Sequence, residues 1–197
     1  LTNSLLELEY FPNFFQASSS EMFSNEVKNP IDEGALMLAN SPYAEAKLYN
    51  HKKVIDYSKS YDWNIVSGIM FNHESEFRKR DYLINKIIMF AKNTTKHSNE
   101  KLELGSLEYV RDWTFAGDVV EAAINLIDNN LKGSYVIGSG VGNKIRAMVE
   151  IIFDYFNLNY ESYIEINEDL LRTGDPLIKI SNPKKIYNDC GWKHQMS

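Results

Sequence analysis

Apolar residues fall in short blocks, each closed by a polar cluster, and helical and alternating spacings take turns along the chain. Residues 1–8 carry leucines at the spacing of an amphipathic helix that is coming to its end. Pro12-Asn13 breaks it, and Phe14-Phe15-Gln16-Ala17 reads as a short buried strand. Ser18-Ser19-Ser20-Glu21 follows at the strand's carboxyl end, where open α/β sheets place their ligands. Residues 24–40 form a long loop, a length that is unusual unless the loop covers a site. Ser41 is a good N-cap and Pro42 suits a first helical position, so a helix is predicted to begin there.

Residues 63–71 then read as a strand that runs into Asn72-His73-Glu74-Ser75. A charged stretch at 76–80 precedes a helix over 82–91 and a polar loop over 93–100. Residues 101–104 and 107–113 look like two short strands around a turn at Gly105-Ser106. A helix over 115–129, a strand over 134–137, a helix over 143–156, a strand over 160–166 and a short helix over 183–188 complete the pattern. Strands alternate with helices, which predicts an α/β fold with parallel strands. Gly138-Ser139-Gly140-Val141-Gly142 lacks the spacing of a dinucleotide-binding loop, and no acidic residue follows at the right distance. It reads as a flexible turn rich in left-handed residues.

Composition narrows the picture only a little. The 197 residues suffice for one domain with a real core. A net charge of -6 argues against nonspecific nucleic-acid binding. The single cysteine, Cys190, excludes an internal disulfide and fits a reducing, cytoplasmic setting. No apolar run approaches a membrane span, and no signal-peptide pattern or metal-ligand cluster is seen. The sequence opens on Leu in what looks like mid-helix, so it is expected to be part of a longer chain.

The candidate chemistry sits in Ser41-Pro42-Tyr43-Ala44-Glu45-Ala46-Lys47. Tyr43 and Lys47 stand one helical turn apart on the same face. A phenol is a poor base at neutral pH, and an ammonium beside it favours the phenolate that proton abstraction from an alcohol needs.

Phe15-Gln16-Ala17-Ser18-Ser19-Ser20-Glu21 followed by Ser41-Pro42-Tyr43-Ala44 and Lys47-Leu48-Tyr49 resembles the extended short-chain dehydrogenase/reductase family. Phe71-Asn72-His73-Glu74-Ser75 and Arg111-Asp112-Trp113 narrow the resemblance to sugar-nucleotide 4,6-dehydratases, closest to those of GDP-mannose. It extends to Cys190-Gly191-Trp192-Lys193. It implies a partial Rossmann-type doubly wound parallel sheet, without the N-terminal half that carries the phosphate-binding glycine turn, and a small α/β substrate-binding lobe. Residues 1–75 and 114–138 would form the former, and residues 76–113 and 139–197 the latter.

The resemblance also implies roles. Tyr43 would take the proton of the sugar 4-hydroxyl, Lys47 would tune Tyr43 and hold the nicotinamide ribose, and Ser19 would bond O4. Glu21 would remove the C5 proton. Tyr43, Lys47, His73 and Arg78 would touch the cofactor, NADP or alternatively NAD. Ser20, Asn72, Lys86, Arg111, Arg172 and Asp175 would contact a nucleotide-sugar substrate. The full-length protein would be a dimer or tetramer, with neither nucleic acid nor membrane as partner. Ser24, Phe77 and Lys79 depart from the family pattern. A 4-epimerase or 4-reductase of the same fold, or an inactive binding fragment, are the alternatives, and the 197-residue chain alone is expected to be inactive and to hold NADP weakly.

Overall fold

The structure, a computed structural model, describes residues 1–95, 98–171 and 174–196. Chain order begins α1 (Thr2–Glu7), β1 (Phe14–Ser19), α2 (Pro42–Ser60), β2 (Ile65–Met70) and β3 (Asn72–Glu74). Next come α3 (Leu83–Asn93), β4 (Leu102–Leu104), β5 (Val110–Phe115), α4 (Ala116–Asp128) and β6 (Gly133–Ile137). The last elements are β7 (Gly142–Lys144), α5 (Ile145–Tyr155), β8 (Ile164–Ile166), β9 (Ile178–Lys179) and α6 (Lys184–Cys190). Local signals account for the start of α2. The Ser41 hydroxyl accepts from the Ala44 N–H at 3.2 Å, and Pro42 has no N–H for the first turn to leave unpaired.

Strands β1, β2 and β6 form one parallel sheet with β2 in the middle. Its two faces are covered from opposite sides, as in a doubly wound fold. Ile65, with Val54 of α2 and Trp63, packs on one face. Val66 and Ile137 pack on the other with Val119, Ala122 and Leu126 of α4 and Ile186 of α6. Each such side chain, fully buried, contributes roughly 1.5–3 kcal/mol. Gly68 is required by the crossing of Phe15, because a Cβ there would stand 2.4 Å from the ring.

A second sheet gathers around β5, which runs parallel to β3 and β9 and antiparallel to β7. Beside it, α3 and α5 pack over the parallel pair β4–β8, with Ile87, Leu102, Leu104, Val149, Phe153 and Tyr163 in their own core.

Several expectations need correction. The strands on either side of Gly105-Ser106 do not pair with each other: β4 pairs with β8, and β5 begins only at Val110. The glycine run ends in β7, and Gly140 alone of its residues is left-handed (φ +75°). Helix α6 and Trp192, assigned from sequence to the substrate lobe, pack with α4 and β6 on the three-stranded sheet. Among the described residues, none of the loop over residues 24–40 lines the cavity described below. Ile31 bridges to Ser181, and the Glu33 carboxylate accepts from the Val136 N–H on the outer edge of β6. No helix among the described residues is long and apolar enough to cross a membrane.

Asp112, 1% exposed on β5, holds the second sheet to its neighbours. Its carboxylate accepts from the N–H and hydroxyl of Ser139, the N–H of Gly140, and the N–H and hydroxyl of Ser181. Removing it leaves the buried Ser181 N–H and hydroxyl without this acceptor and loosens the half-buried Ser139 and exposed Gly140. Asp112→Ala is therefore expected to lower the unfolding free energy by about 3 kcal/mol, read from the midpoint of urea unfolding. An unchanged midpoint would show that these donors find water instead.

Candidate active site

Because β1 and β2 run parallel and in register, Ser19 lies opposite Met70 and the residues after both strands open onto the same space. That space is a cavity of about 930 Å³. Ser19 caps a short 3₁₀ turn at Ser20–Met22, its hydroxyl oxygen accepting from the Glu21 N–H at 3.2 Å. This turn places Ser19, Ser20 and Glu21 together on the cavity wall.

Tyr43, in the first turn of α2, lines the same wall and is 56% exposed. One turn on, the Lys47 Nζ stands 5.7 Å from the centre of the Tyr43 ring and donates to the Ala17 carbonyl at 2.8 Å. The lysine is thus fixed between helix and strand while its charge stays beside the phenol.

Beyond β2 the wall continues through Asn72, His73 and Glu74. His73 Nδ1 donates to the Phe71 carbonyl at 3.0 Å, which directs its other nitrogen away from that strand. Burial raises the Glu74 carboxyl above its ordinary range, and the nearby charges of Arg78 and His73 only partly oppose this. Arg78 Nε lies 3.2 Å from Glu74, an ion-pair contact off the line of a hydrogen bond, and its guanidinium stacks 3.9 Å above the Tyr82 ring.

At the far side, Arg111 is buried to 8% exposure on β5. It pairs with Asp175 at 2.9 Å, donates to the Val110 and Leu177 carbonyls, and stacks on Tyr109. Arg111 and Asp175 both face the cavity.

Two expected residues among those described, Lys47 and Lys86, do not line the cavity. Lys86 turns instead to the Glu103 carbonyl at 3.2 Å and does not line the cavity, because α3 packs Ile87 and Ala91 inward. Arg172 lies outside the described residues. Three residues were missed from the sequence. Tyr82 and Tyr109 line the cavity beneath the two guanidinium groups. Lys179 of β9, its side chain 3% exposed, donates to Glu21 at 2.9 Å. The one signal for Lys179 was a lysine flanked by isoleucines at 178 and 180, which marks a buried strand position without naming its partner. Among the described residues, no group of three or more His, Cys, Asp or Glu is placed to hold a metal ion.

A family model described as GDP-mannose 4,6 dehydratase matches residues 5–197. GDP-mannose 4,6 dehydratase 2 of Arabidopsis thaliana is 32% identical over 183 residues, covering 93% of this chain and 49% of that protein. The chain spans about half the length of the curated relatives it matches. The fold is shared with RMD from Pseudomonas aeruginosa complexed with NADPH (TM-score 0.89, 21% identity, 100% of this chain and 66% of that one). It is shared also with dTDP-glucose 4,6-dehydratase from Bacillus anthracis in complex with NAD (TM-score 0.85, 20% identity, 99% and 60%).

One turn past Lys47, the buried His51 underlies the site. Its Nδ1 bonds the Ser67 hydroxyl at 2.8 Å, which in turn meets the Ser18 hydroxyl at 2.8 Å. Burial, and then the charge of Lys52, lower its pKa from 6.5. The unfolded chain therefore binds a proton at a pH where the folded chain still refuses it. Stability is present above 6.5 and is lost as pH falls below it. The melting temperature is expected to fall between about pH 7 and about pH 5, and to fall less in His51→Gln. Equal slopes for the two proteins would mean that the imidazole takes its proton without cost.

Proposed function

The chain belongs to the GDP-mannose 4,6-dehydratase family, and on that premise we propose that it carries the reacting residues of a nucleotide-sugar 4,6-dehydratase acting on GDP-mannose. The observation that carries this reading is that Ser19, Glu21 and Tyr43 line one cavity, with Lys47 held beside Tyr43.

The Tyr43 phenol and the His73 imidazole line this end of the cavity and the Lys47 ammonium stands beside Tyr43, a set that suits the hydroxyls and amide of a nicotinamide nucleotide. Tyr43, Lys47 and His73 would hold that end of NADP, with NAD the alternative, and Arg78 would reach toward its phosphates. Bound there, a nicotinamide would supply an acceptor for the hydride of C4 and the means of its return to C6.

The chain's own residues handle the protons. Tyr43 accepts the proton of the 4-hydroxyl, and the Ser19 hydroxyl, whose oxygen already accepts from Glu21 N–H, keeps its hydrogen to donate to O4. The new C4 carbonyl acidifies the C5 hydrogen. Glu21 takes that proton, the C5–H electron pair becomes the second bond between C5 and C6, and the hydroxyl of C6 leaves with the proton as water; on return of hydride to C6, C5 takes a proton from solvent. Ser20, Asn72, Arg111 and Asp175 would bind the nucleotide sugar. Arg111, held in place by its stacking and by the two carbonyl bonds of Nη1, would turn Nε and Nη2 to a pyrophosphate by exchanging its pairing with Asp175.

A second reading rests on Lys179. A carboxylate already engaged by a buried ammonium suits an enzyme that needs Tyr43 and Lys47 but no base at C5, namely a 4-epimerase or 4-reductase of this fold.

Glu21→Gln separates the two in the full-length protein. For a dehydratase, formation of the 4-keto-6-deoxy sugar should fall roughly 10²–10⁴-fold, while reduced nicotinamide still appears on mixing with substrate. Tyr43→Phe should abolish that first absorbance change as well. If Glu21→Gln turns over a nucleotide sugar at the wild-type rate, the dehydratase reading gives way to the second.

A further inference from the structure

Lys179 is the least expected residue near the site. Its ammonium is buried where a lone charge would be very unfavourable, and its partner among the described residues is the Glu21 carboxylate, 2.9 Å away and 158 positions earlier in the chain. The two ends of this pair are unlike. The Lys179 side chain is 3% exposed, whereas Glu21 is 41% exposed and looks into the cavity.

The lysine is held rigidly. Strand β9 pairs in parallel with β5, setting Lys179 opposite Arg111. On the outer side, the Asn29 side chain donates to the Ile178 carbonyl and accepts from the Ile180 N–H. Two residues on, Ser181 is tied to Asp112 and bridged to Ile31. The backbone that carries Lys179 is therefore fixed on both sides, and a carboxylate bonded to it inherits that fixed position. The backbone of Glu21 is anchored by its buried neighbours Ser20 and Met22, but its side chain has three rotatable bonds, and its ion-pair partner among the described residues is Lys179.

We propose that Lys179 is a positioning residue for the C5 proton transfer: its buried ammonium sets the Glu21 carboxylate on the cavity wall at one place and one angle. Lys179 does not touch substrate, since it does not line the cavity. It acts through Glu21 alone. This rests on the dehydratase reading above.

The test uses the full-length protein with GDP-mannose and NADP. Lys179→Met fills much of the same buried space without a charge, and the released Glu21 can hydrate at the cavity, so the fold should persist. Product formation is expected to fall about 10²-fold with the KM for GDP-mannose unchanged, the loss expected when a reacting group is misplaced by about 1 Å. Reduced nicotinamide should accumulate, because the step that uses Tyr43 is untouched. In a Glu21→Gln background, Lys179→Met should add no further loss, as for two residues acting on one step.

Wild-type turnover in Lys179→Met, an equal loss in the first oxidation, or losses that multiply in the double variant would each overturn the proposal. A second measurement keeps the pair testable if the dehydratase reading itself fails. In the nucleotide-free protein, the Lys179 ammonium signal in nitrogen-15 NMR should be visible and should move on Glu21→Gln. A wild-type protein that makes no 4-keto-6-deoxy product but shows this movement loses the reaction and keeps the pair. An ammonium signal indifferent to Glu21→Gln overturns the pairing whatever the reaction.

Discussion

The bond from the Lys47 ammonium to the Ala17 carbonyl is the constraint on which the site depends. It joins the first turns of α2 to the carboxyl half of β1, two elements separated by the whole loop over residues 24–40. The start of α2 is set locally by Ser41 and Pro42. Its distance from the strand is set by this lysine and by Ala44, fully buried on the same helix. Without the tie, the Lys47 ammonium would lose its fixed place between β1 and the Tyr43 ring. Parallel pairing of β1 with β2 then brings Asn72 and His73 to the same opening.

The charges around the cavity follow a common scheme. Arg111 is paired with Asp175, Arg78 with Glu74, and Lys179 with Glu21. Arg111–Asp175 and Lys179–Glu21 join strands to segments far away in sequence, Arg78 and Glu74 stand four residues apart, and each pair presents at least one member to the cavity. Partly buried pairs gain little net stability once desolvation is counted. Their value here is geometric, because the partner limits where a long side chain can go. Aromatic rings under Arg78 and Arg111 add a second restraint, leaving the guanidinium planes few orientations.

What was legible in the sequence was local or periodic. The Ser41-Pro42 start of α2, the strand blocks at 14 and 65 and the helices α3 to α5 all lie in windows of a few residues, where caps and spacing act directly. The places of Ser19, Glu21, Tyr43 and Asn72 were legible because they stand at strand ends or begin a helix, while their roles came from the family resemblance. What was not legible depends on pairing across long stretches. Strands β3, β7 and β9 are two or three residues long and exist only because β5 offers them an edge. Asp112 was part of a recognised triplet, yet its work of holding two serines and a glycine lies in residues 27, 28 and 69 positions away. Lys179 is the extreme case, a lysine whose meaning appears only when Glu21 is beside it. Lys86 failed for the opposite reason: an exposed lysine on an amphipathic helix has several places to turn, and it turned to Glu103.

The most direct test of the account follows a label instead of a residue. The full-length protein would be supplied with NADP and GDP-mannose carrying deuterium at C4, and the product examined by NMR and mass spectrometry. A cavity in which Tyr43 serves C4 and Glu21 serves C5 predicts that the deuterium leaves C4 and appears on the C6 methyl group. Run instead in heavy water with unlabelled sugar, the reaction should place one solvent deuterium at C5. Deuterium that returns to C4, or a sugar that keeps its 6-hydroxyl, would contradict the dehydratase account.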